Sequence, residues 1–170
     1  MKVLARQWNG EASRTSLSYD LIRQEGRITF SVQFPLGATT HPEAQPGEYT
    51  AGLWRYDVGE LFLTVDGQKY IEVNLAANGA WWMAGFTGIR QEDEQFIPPV
   101  VEVVLGQGEV RWSCDEQSIA VYLGQVEKLY YNVAGILNTP DYEYLSLCDL
   151  GTSEPDFHQP RQFSKRLEQN

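Results

Sequence analysis

The sequence predicts an all-β fold, a sandwich of roughly nine or ten short strands. Short runs of alternating apolar and polar residues recur along the chain, and turn pairs that contain glycine separate them. Aromatic residues make up 12% of the sequence, including five Trp and nine Tyr, and these residue types favour strands. The sequence contains no amphipathic helix of ordinary length, repeat or linker. We therefore expect residues 1–170 to form a single domain.

The first two strands are predicted to form a hairpin. Alternation from Leu17 to Ile22 predicts a strand, and Glu25-Gly26 predicts the turn that follows it. The run from Arg27 to Phe34 places apolar residues at every second position, which is typical of a half-buried strand. Three Pro and two Gly between Pro35 and Tyr49 then predict a long surface loop that leads to Trp54.

Three strands are predicted between Gly52 and Arg90, where the runs ELFLTV, KYIEVNLA and AWWMAGF are separated by Asp66-Gly67 and Asn78-Gly79. Side chains alternate between the two faces of a strand. One face is expected to be an apolar interior that contains Leu61, Leu63, Val65, Ile71, Val73 and Leu75. The other face carries an unusual mixture of acids, an amide and aromatic rings: Glu60, Phe62, Thr64, Tyr70, Glu72 and Asn74, with either Trp81 or Trp82 from the third strand.

The second half of the chain is predicted to continue as strands and loops. Gln91–Pro99 is acidic and ends in Pro-Pro, which predicts a loop. The later strands are predicted at Val100–Leu105, Glu109–Ser113, Ser118–Gly124, Tyr130–Asn138 and Tyr142–Leu150, with turns at Gln107-Gly108 and Thr139-Pro140-Asp141. In the tail, Gln162–Leu167 is interpreted as either an edge strand or a loose segment.

Charge and hydropathy exclude two classes of partner. The formal net charge of -10 and the pI near 4.6 repel phosphate, so we expect no nucleic acid and no anionic membrane as partner. No apolar run reaches membrane-spanning length, and the first residues lack the apolar block of a secretory signal. We expect a cytoplasmic protein in which Cys114 and Cys148 stay reduced.

Glu60 and Glu72 are the candidate chemical groups, and their role has two interpretations. Paired carboxylates perform acid–base catalysis in glycosidases, but cross-strand acids are also common as hydrogen-bond acceptors or as partners of Arg55 and Arg90. A tryptophan on the same face suits stacking on a sugar ring, although Trp54, Trp81 and Trp82 also suit a sandwich interior.

Cofactor sites are weakly indicated. Met83 with His41 or His158 provides side chains of the types that ligate haem, although nothing in the sequence fixes the distance between them. Asp57–Glu60 and Glu92–Glu94 provide oxygen ligands for a structural calcium ion, without a defined calcium-binding motif. We expect no cofactor, with calcium as the open alternative.

The segment from Gly52 to Arg90 resembles the central signature of bacterial DOMON-like domains, which are related to family 9 carbohydrate-binding modules. The residues that carry the resemblance are Trp54, Asp57, Glu60, Tyr70, Glu72, Asn74, Trp81 and Arg90, and Pro155–His158 resembles the end of these proteins. The resemblance implies an immunoglobulin-like, jelly-roll-like antiparallel sandwich with a small ligand on its concave face. In the sugar-binding branch, aromatic residues clamp a terminal sugar while carboxylates and amides contact its hydroxyls; in other branches the pocket holds haem.

We predict a non-catalytic domain that binds a small polar ligand, and we expect that ligand to be a saccharide. The predicted ligand-binding residues are Trp54, Glu60, Tyr70, Glu72, Asn74, Trp81, Trp82 and Arg90. A haem carrier and a hydrolase that uses Glu60 and Glu72 remain the alternatives. The oligomeric state stays open.

Overall fold

The computed structural model describes residues 1–106, 108–138 and 142–169, which form a sandwich of two antiparallel sheets. The predicted all-β sandwich is confirmed. In chain order, the strands of the described residues are β1 (Lys2–Arg6), β2 (Ala12–Gln24), β3 (Arg27–Gln33), β4 (Val58–Thr64), β5 (Tyr70–Ala76), β6 (Trp81–Gly88), β7 (Gln91–Glu92), β8 (Val101–Leu105), β9 (Glu109–Asp115), β10 (Tyr130–Leu137), β11 (Glu143–Ser146) and β12 (Lys165–Arg166). One α-helix, α1 (Glu116–Leu123), and two 3-10 turns, Leu53–Arg55 and Pro160–Gln162, complete the described elements.

The two sheets differ in size and connectivity. The smaller sheet has the order β1-β2-β3-β9-β8, and the larger has the order β11-β10-β4-β5-β6-β7, with β12 paired to β10. Strands β4, β5 and β6 are sequential neighbours in the larger sheet, as the sequence predicts. The hairpins β2–β3 and β8–β9 also form where predicted.

The main hydrophobic core lies between the sheets. Leu61, Leu63, Ile71 and Val73 from the larger sheet pack with residues of the smaller sheet, among them fully buried Trp112. The predicted inner face of β4 and β5 is therefore confirmed. Burial of this apolar surface supplies the main free energy that holds the two sheets together.

A second hydrophobic cluster covers the opposite, outer face of the larger sheet. Its members come from the larger sheet and from loops and the carboxy-terminal segment, including Leu53, Phe62, Trp82, Phe157 and Phe163. The outer face is thus covered by chain rather than being open to solvent, and the cover leaves the cleft described below.

The β4–β5 and β5–β6 connections are both longer than a two-residue hairpin loop. Thr64 pairs with Tyr70, which leaves the five residues 65–69 between β4 and β5. Leu75 pairs with Trp81 and the Ala76 N–H donates to the Ala80 carbonyl, which leaves a three-residue loop at 77–79. Only the glycine of each turn pair has a positive φ, 71° at Gly67 and 86° at Gly79, and Gly79 is the left-handed glycine that ends the three-residue loop. With this loop length, Trp82 lies on the outer face of the larger sheet and Trp81 faces the core between the sheets.

The predicted strand at Ser118–Gly124 is wrong, because this segment belongs to helix α1. Asp115 caps the helix by accepting a hydrogen bond from the Gln117 N–H at 2.7 Å. Ile119 and Leu123, four residues apart, are buried, whereas Val121 between them is exposed. The spacing of the buried residues is that of a helix, and the cap at Asp115 was the signal for it.

Several shorter elements also differ from the prediction. No strand was predicted at Lys2–Arg6, and Gln91–Glu92 was predicted to lie in a loop, but both segments pair at sheet edges. The tail forms a two-residue edge strand at Lys165–Arg166. The predicted turn residues Gln107, Thr139, Pro140 and Asp141 lie outside the described residues.

Both cysteines are buried and unpaired, Cys114 in the main core and Cys148 in the second cluster. Among the described residues, no helix has the length and apolar character needed to cross a membrane.

Candidate functional site

A cleft of about 360 Å³ opens on the outer face of the larger sheet. One wall is the 3-10 turn that carries Trp54, and another is the carboxy-terminal segment Pro155–His158. Aromatic side chains form much of the lining: Trp54, Phe62, Trp82, Phe86, Tyr144 and Phe157. The polar lining residues are Glu60, Glu72, Arg90, Glu92 and His158, and Ile136 and Pro155 complete the surface.

The two carboxyls predicted from the sequence lie side by side at the floor of the cleft. Glu60 is paired with Asn74, and Glu72 is paired with Phe62, so the two acids are diagonal neighbours on β4 and β5. They are almost completely buried, with 2% and 5% of their surfaces exposed. One carboxyl oxygen of Glu60, Oε2, has no hydrogen-bond partner among the described residues.

Burial controls the ionisation of this pair. Burial, followed by repulsion from Glu72, raises the pKa of Glu60 well above its usual value. Burial likewise raises the pKa of Glu72 to about 7, although nearby Asn74 and Arg90 oppose the rise. Each carboxyl therefore holds its proton more strongly than an exposed glutamate, and as an acid it can both donate and accept a hydrogen bond.

A hydrogen-bonded chain joins the carboxy-terminal segment to the sheet at one side of the cleft. The Tyr70 hydroxyl lies 2.7 Å from Nδ1 of His158 and accepts a hydrogen bond from the Arg90 N–H at 3.2 Å. Arg90 has a left-handed φ of 55°, and its guanidinium donates to Asp156 at 2.9 Å. Arg90 thus contacts the sheet through its N–H and the carboxy-terminal segment through its guanidinium.

His158 is neutral in this environment. Burial, followed by the charge of Arg90, lowers the pKa of His158 to about 4, although Asp156 opposes this shift. Burial raises the pKa of Tyr70, so its hydroxyl keeps its proton and can donate a hydrogen bond to Nδ1 of His158. Nε2 of His158 then carries the ring proton and lies 3.7 Å from the Glu72 carboxyl, beyond direct hydrogen-bond distance.

Aromatic contacts hold the walls together. Tyr70 and Phe86 stack with ring centroids 4.7 Å apart and nearly parallel planes, and His158 meets Phe86 edge-on at 5.2 Å. Trp54 contacts Trp82 at 5.7 Å, and 41% of Trp54 is exposed. Trp54 therefore offers a ring surface at the mouth of the cleft, while Trp82 is held deeper in the lining.

The structure brings five of the eight predicted site residues into the cleft lining: Trp54, Glu60, Glu72, Trp82 and Arg90. Tyr70 supports the wall through His158, and Asn74 is fully buried beside the carboxyls. Trp81 is placed elsewhere, because it pairs with Leu75 and packs against the core between the sheets. Its indole N–H donates to the Gly47 carbonyl at 3.1 Å.

Several residues that line the cleft were not predicted from the sequence as ligand-binding residues. Phe86 follows the alternation that starts at Trp82 in β6, and Glu92 pairs with Phe86 across β6 and β7, so both positions depend on the length of the turn before β6. Tyr144, Phe157 and His158 reach the cleft through long-range packing, and the resemblance of Pro155–His158 to the end of DOMON-like domains was the sequence feature that pointed to this segment. The predicted pairing of the acids with Arg55 or Arg90 is not observed, because Arg90 pairs with Asp156 and Arg55 is exposed.

Met83 and Asp57, which were suggested as cofactor ligands, have other surroundings in the structure. Met83 is buried between the sheets, on the opposite side of β6 from the cleft, so it cannot share a haem with His158. The Asp57 carboxylate accepts hydrogen bonds from Thr39 and from the Asn138 N–H, which occupy both oxygens. Across the part of the chain that the structure describes, no three His, Cys, Asp or Glu side chains are grouped to hold a metal ion.

Comparison with known proteins supports the fold assignment. No protein-family model and no curated protein matches the chain. Among solved structures, the chain is similar to a "putative carbohydrate-binding protein" from Bacteroides uniformis ATCC 8492, with a TM-score of 0.67 and 15% sequence identity. The match covers 89% of this chain and 78% of that one. At this identity, the similarity establishes a shared fold.

Proposed function

We propose that the protein is a non-catalytic domain that binds a saccharide in the cleft on the outer sheet face. One observation carries the proposal: aromatic rings line a cleft whose floor holds two adjacent, buried carboxyls. Apolar walls with a few convergent polar groups are typical of small-ligand sites. A sugar ring presents both an apolar face and hydroxyl groups, and so it matches this lining.

Each part of the lining has a task in this proposal. Trp54 stacks on one face of the sugar, while Trp82 and Tyr144 pack against its carbon atoms. Glu60 and Glu72 make hydrogen bonds with its hydroxyl groups, and Arg90 supplies a donor at the side of the cleft. The similar fold of the Bacteroides uniformis protein supports the choice of a carbohydrate, as does the resemblance of Gly52–Arg90 to DOMON-like domains.

Ionisation favours binding over cleavage. A glycosidase needs one carboxyl held as an acid and a second held as a carboxylate. Here burial raises the pKa of both Glu60 and Glu72, so the pair lacks a carboxyl whose pKa is held low. A hydrolase that uses this pair remains the alternative to be tested.

Ligand-observed NMR and calorimetry against a panel of mono- and disaccharides test the proposal. We expect a saccharide to bind with a Kd in the millimolar range or tighter. Trp54→Ala should weaken that binding by about tenfold, the effect of losing roughly 1.4 kcal/mol of contact. Tyr49→Ala is the matched control, because it removes a comparably exposed ring, 49% against 41%, outside the cleft.

Three outcomes would contradict the proposal. If no saccharide binds, or if Trp54→Ala and Tyr49→Ala bind equally well, the cleft is not a saccharide site. If the protein hydrolyses a bound disaccharide and Glu72→Gln abolishes turnover, the protein is an enzyme. An unchanged product level with Glu72→Gln removes the hydrolase alternative.

A further inference from the structure

The cleft contains more acidic than basic groups. Glu60, Glu72 and Glu92 line it, whereas its basic side chain, Arg90, already pairs with Asp156 at 2.9 Å. Within the described ranges, no Lys or Arg nitrogen lies within 4.0 Å of the three glutamate carboxyls. The cleft therefore lacks a cation that matches its acids, in a protein that already carries a net charge of -10.

Glu60 points to where such a cation would bind. Its side chain is nearly completely buried and lines the cleft, and its Oε2 has no partner among the described residues, nor have the two amide atoms of neighbouring Asn74. A buried polar atom without a hydrogen bond costs roughly 1–3 kcal/mol, so a rotation of the Glu60 carboxyl that brings Oε2 to a donor at the floor would recover that free energy. An ammonium group has three N–H donors and no acceptor, which suits a pair of neighbouring carboxyls.

The aromatic walls suit the same kind of ligand. A cation is attracted to the face of an aromatic ring, most strongly to Trp. Trp54 and Trp82 contact each other edge-on, and Tyr144 also lines the cleft, in ring contact with Phe157 at 6.4 Å. Stacking on a sugar and attraction of a positive charge are therefore available in one cleft.

We propose that the bound saccharide is an amino sugar, whose protonated amino group binds against Glu60 and Glu72. This inference rests on the proposed function and adds the chemical class of the ligand. Neutral sugars use the aromatic walls alone and bind more weakly, and N-acetylation of the amino group removes the interaction.

Binding is expected to release a proton. Burial raises the pKa of Glu72 to about 7, so in the free protein this carboxyl is partly protonated near neutral pH. The groups around it are Glu60, Arg90, Glu92, Asp156, His158 and the Tyr70 hydroxyl, of which His158 and Tyr70 are neutral. When the ammonium group approaches, the O–H bond of the carboxyl breaks, the proton passes to the buffer, and the ligand keeps its positive charge.

The direct test compares glucosamine, galactosamine and mannosamine with the three parent hexoses by ligand-observed NMR at about pH 6, where the amino groups are protonated. At least one amino sugar should bind about tenfold or more tightly than its parent hexose, and its N-acetyl derivative should lose that advantage. If hexoses bind as tightly as every amino sugar, the inference is overturned while the proposed function stands. If none of the sugars binds, both fail.

Charge-neutralising variants provide the second test. Glu72→Gln should remove most of the preference for the amino sugar. It should also remove the proton release, which is measured by calorimetry in two buffers of different ionisation enthalpy. Glu92→Gln changes an exposed lining residue that the fold does not depend on, and should reduce the preference about threefold. Glu102→Gln removes the same charge from the other sheet, at an exposed site, and should leave the preference unchanged. Equal preferences in Glu92→Gln and Glu102→Gln would overturn the inference even if Glu72→Gln failed to fold.

Discussion

The Tyr70 hydroxyl lies 2.7 Å from Nδ1 of His158, and this contact joins β5 to a segment 88 residues later in the chain. The same hydroxyl accepts the Arg90 N–H, and the Arg90 guanidinium reaches Asp156. One phenol therefore fixes both the turn after β6 and the wall of the cleft. Tyr70 is not a lining residue itself, and it acts on the cleft through its hydrogen bonds with His158 and Arg90.

Tyr70→Phe should destabilise the protein, because it leaves the buried Nδ1 of His158 and the Arg90 N–H without their partner. We expect a loss of about 1–3 kcal/mol in the free energy of unfolding, measured by urea denaturation. Tyr142→Phe removes a hydroxyl from a 61% exposed tyrosine and should change that free energy by less than about 0.5 kcal/mol. Equal losses in the two variants would show that the hydroxyl chain does not hold the wall.

Glu72 should make the protein less stable as the pH rises. Its folded-state pKa of about 7 exceeds the ordinary value of 4.5, so the folded state binds the proton more tightly than the unfolded state. Its contribution is complete below about pH 4.5 and is lost as the pH rises through about 7, a change of the order of 3 kcal/mol. Relative to Glu72→Gln, the wild-type protein should lose stability across this range in urea titrations. A pH-independent difference would contradict the assignment, and Glu102→Gln serves as the exposed control.

His158 should have the opposite effect over a similar range. Its folded-state pKa of about 4 lies below the ordinary value of 6.5, so the unfolded state binds the proton more tightly. Its contribution is complete above about pH 6.5 and is lost as the pH falls through about 4, again of the order of 3 kcal/mol. Relative to His158→Gln, the wild-type protein should gain stability as the pH rises. The matched control is His41→Gln, which changes a loop histidine outside the cleft and should leave the change of stability with pH unaltered.

Asp57→Asn should be strongly destabilising although it preserves shape. The Asp57 carboxylate is buried and accepts from Thr39 through one oxygen and from the Asn138 N–H through the other. The amide of Asn replaces one of these acceptor oxygens with an NH₂ group that faces another donor. We therefore expect the free energy of unfolding, measured by thermal or urea denaturation, to fall by about 3 kcal/mol. Asp149→Asn, at an exposed site, removes the same charge and should have little effect. A similar loss in both variants would indicate a general charge effect instead.

The faces of β4 and β5 were predictable because a strand alternates strictly and both strands carry a clear apolar set. Glu60 and Glu72 could be placed on one outer face from that pattern alone. Whether Trp81 or Trp82 faces the cleft could not be predicted, because it depends on whether the turn at Asn78-Gly79 has two or three residues. The extra residue before Gly79 reverses the side of β6 that faces the site.

Other features depended on contacts between distant parts of the chain. His158 appears in the sequence as a histidine in a Pro-containing tail, and its neutral state follows from burial against Phe86 and Tyr70. Helix α1 was mistaken for a strand because Ile119, Val121 and Leu123 alternate in the sequence. The cap at Asp115 and the bidentate pairing of Glu116 with buried Arg23 favour the helix instead.

The edge-on contact between Trp54 and Trp82 gives the cleft a built-in optical signal. Trp54, at the mouth of the cleft, is the most exposed of the five tryptophans, whereas Trp112 is sealed inside the sandwich. A molecule that enters the cleft shields Trp54 from a water-soluble collisional quencher and leaves Trp112 unchanged. Steady-state fluorescence quenching therefore reports occupancy without a label.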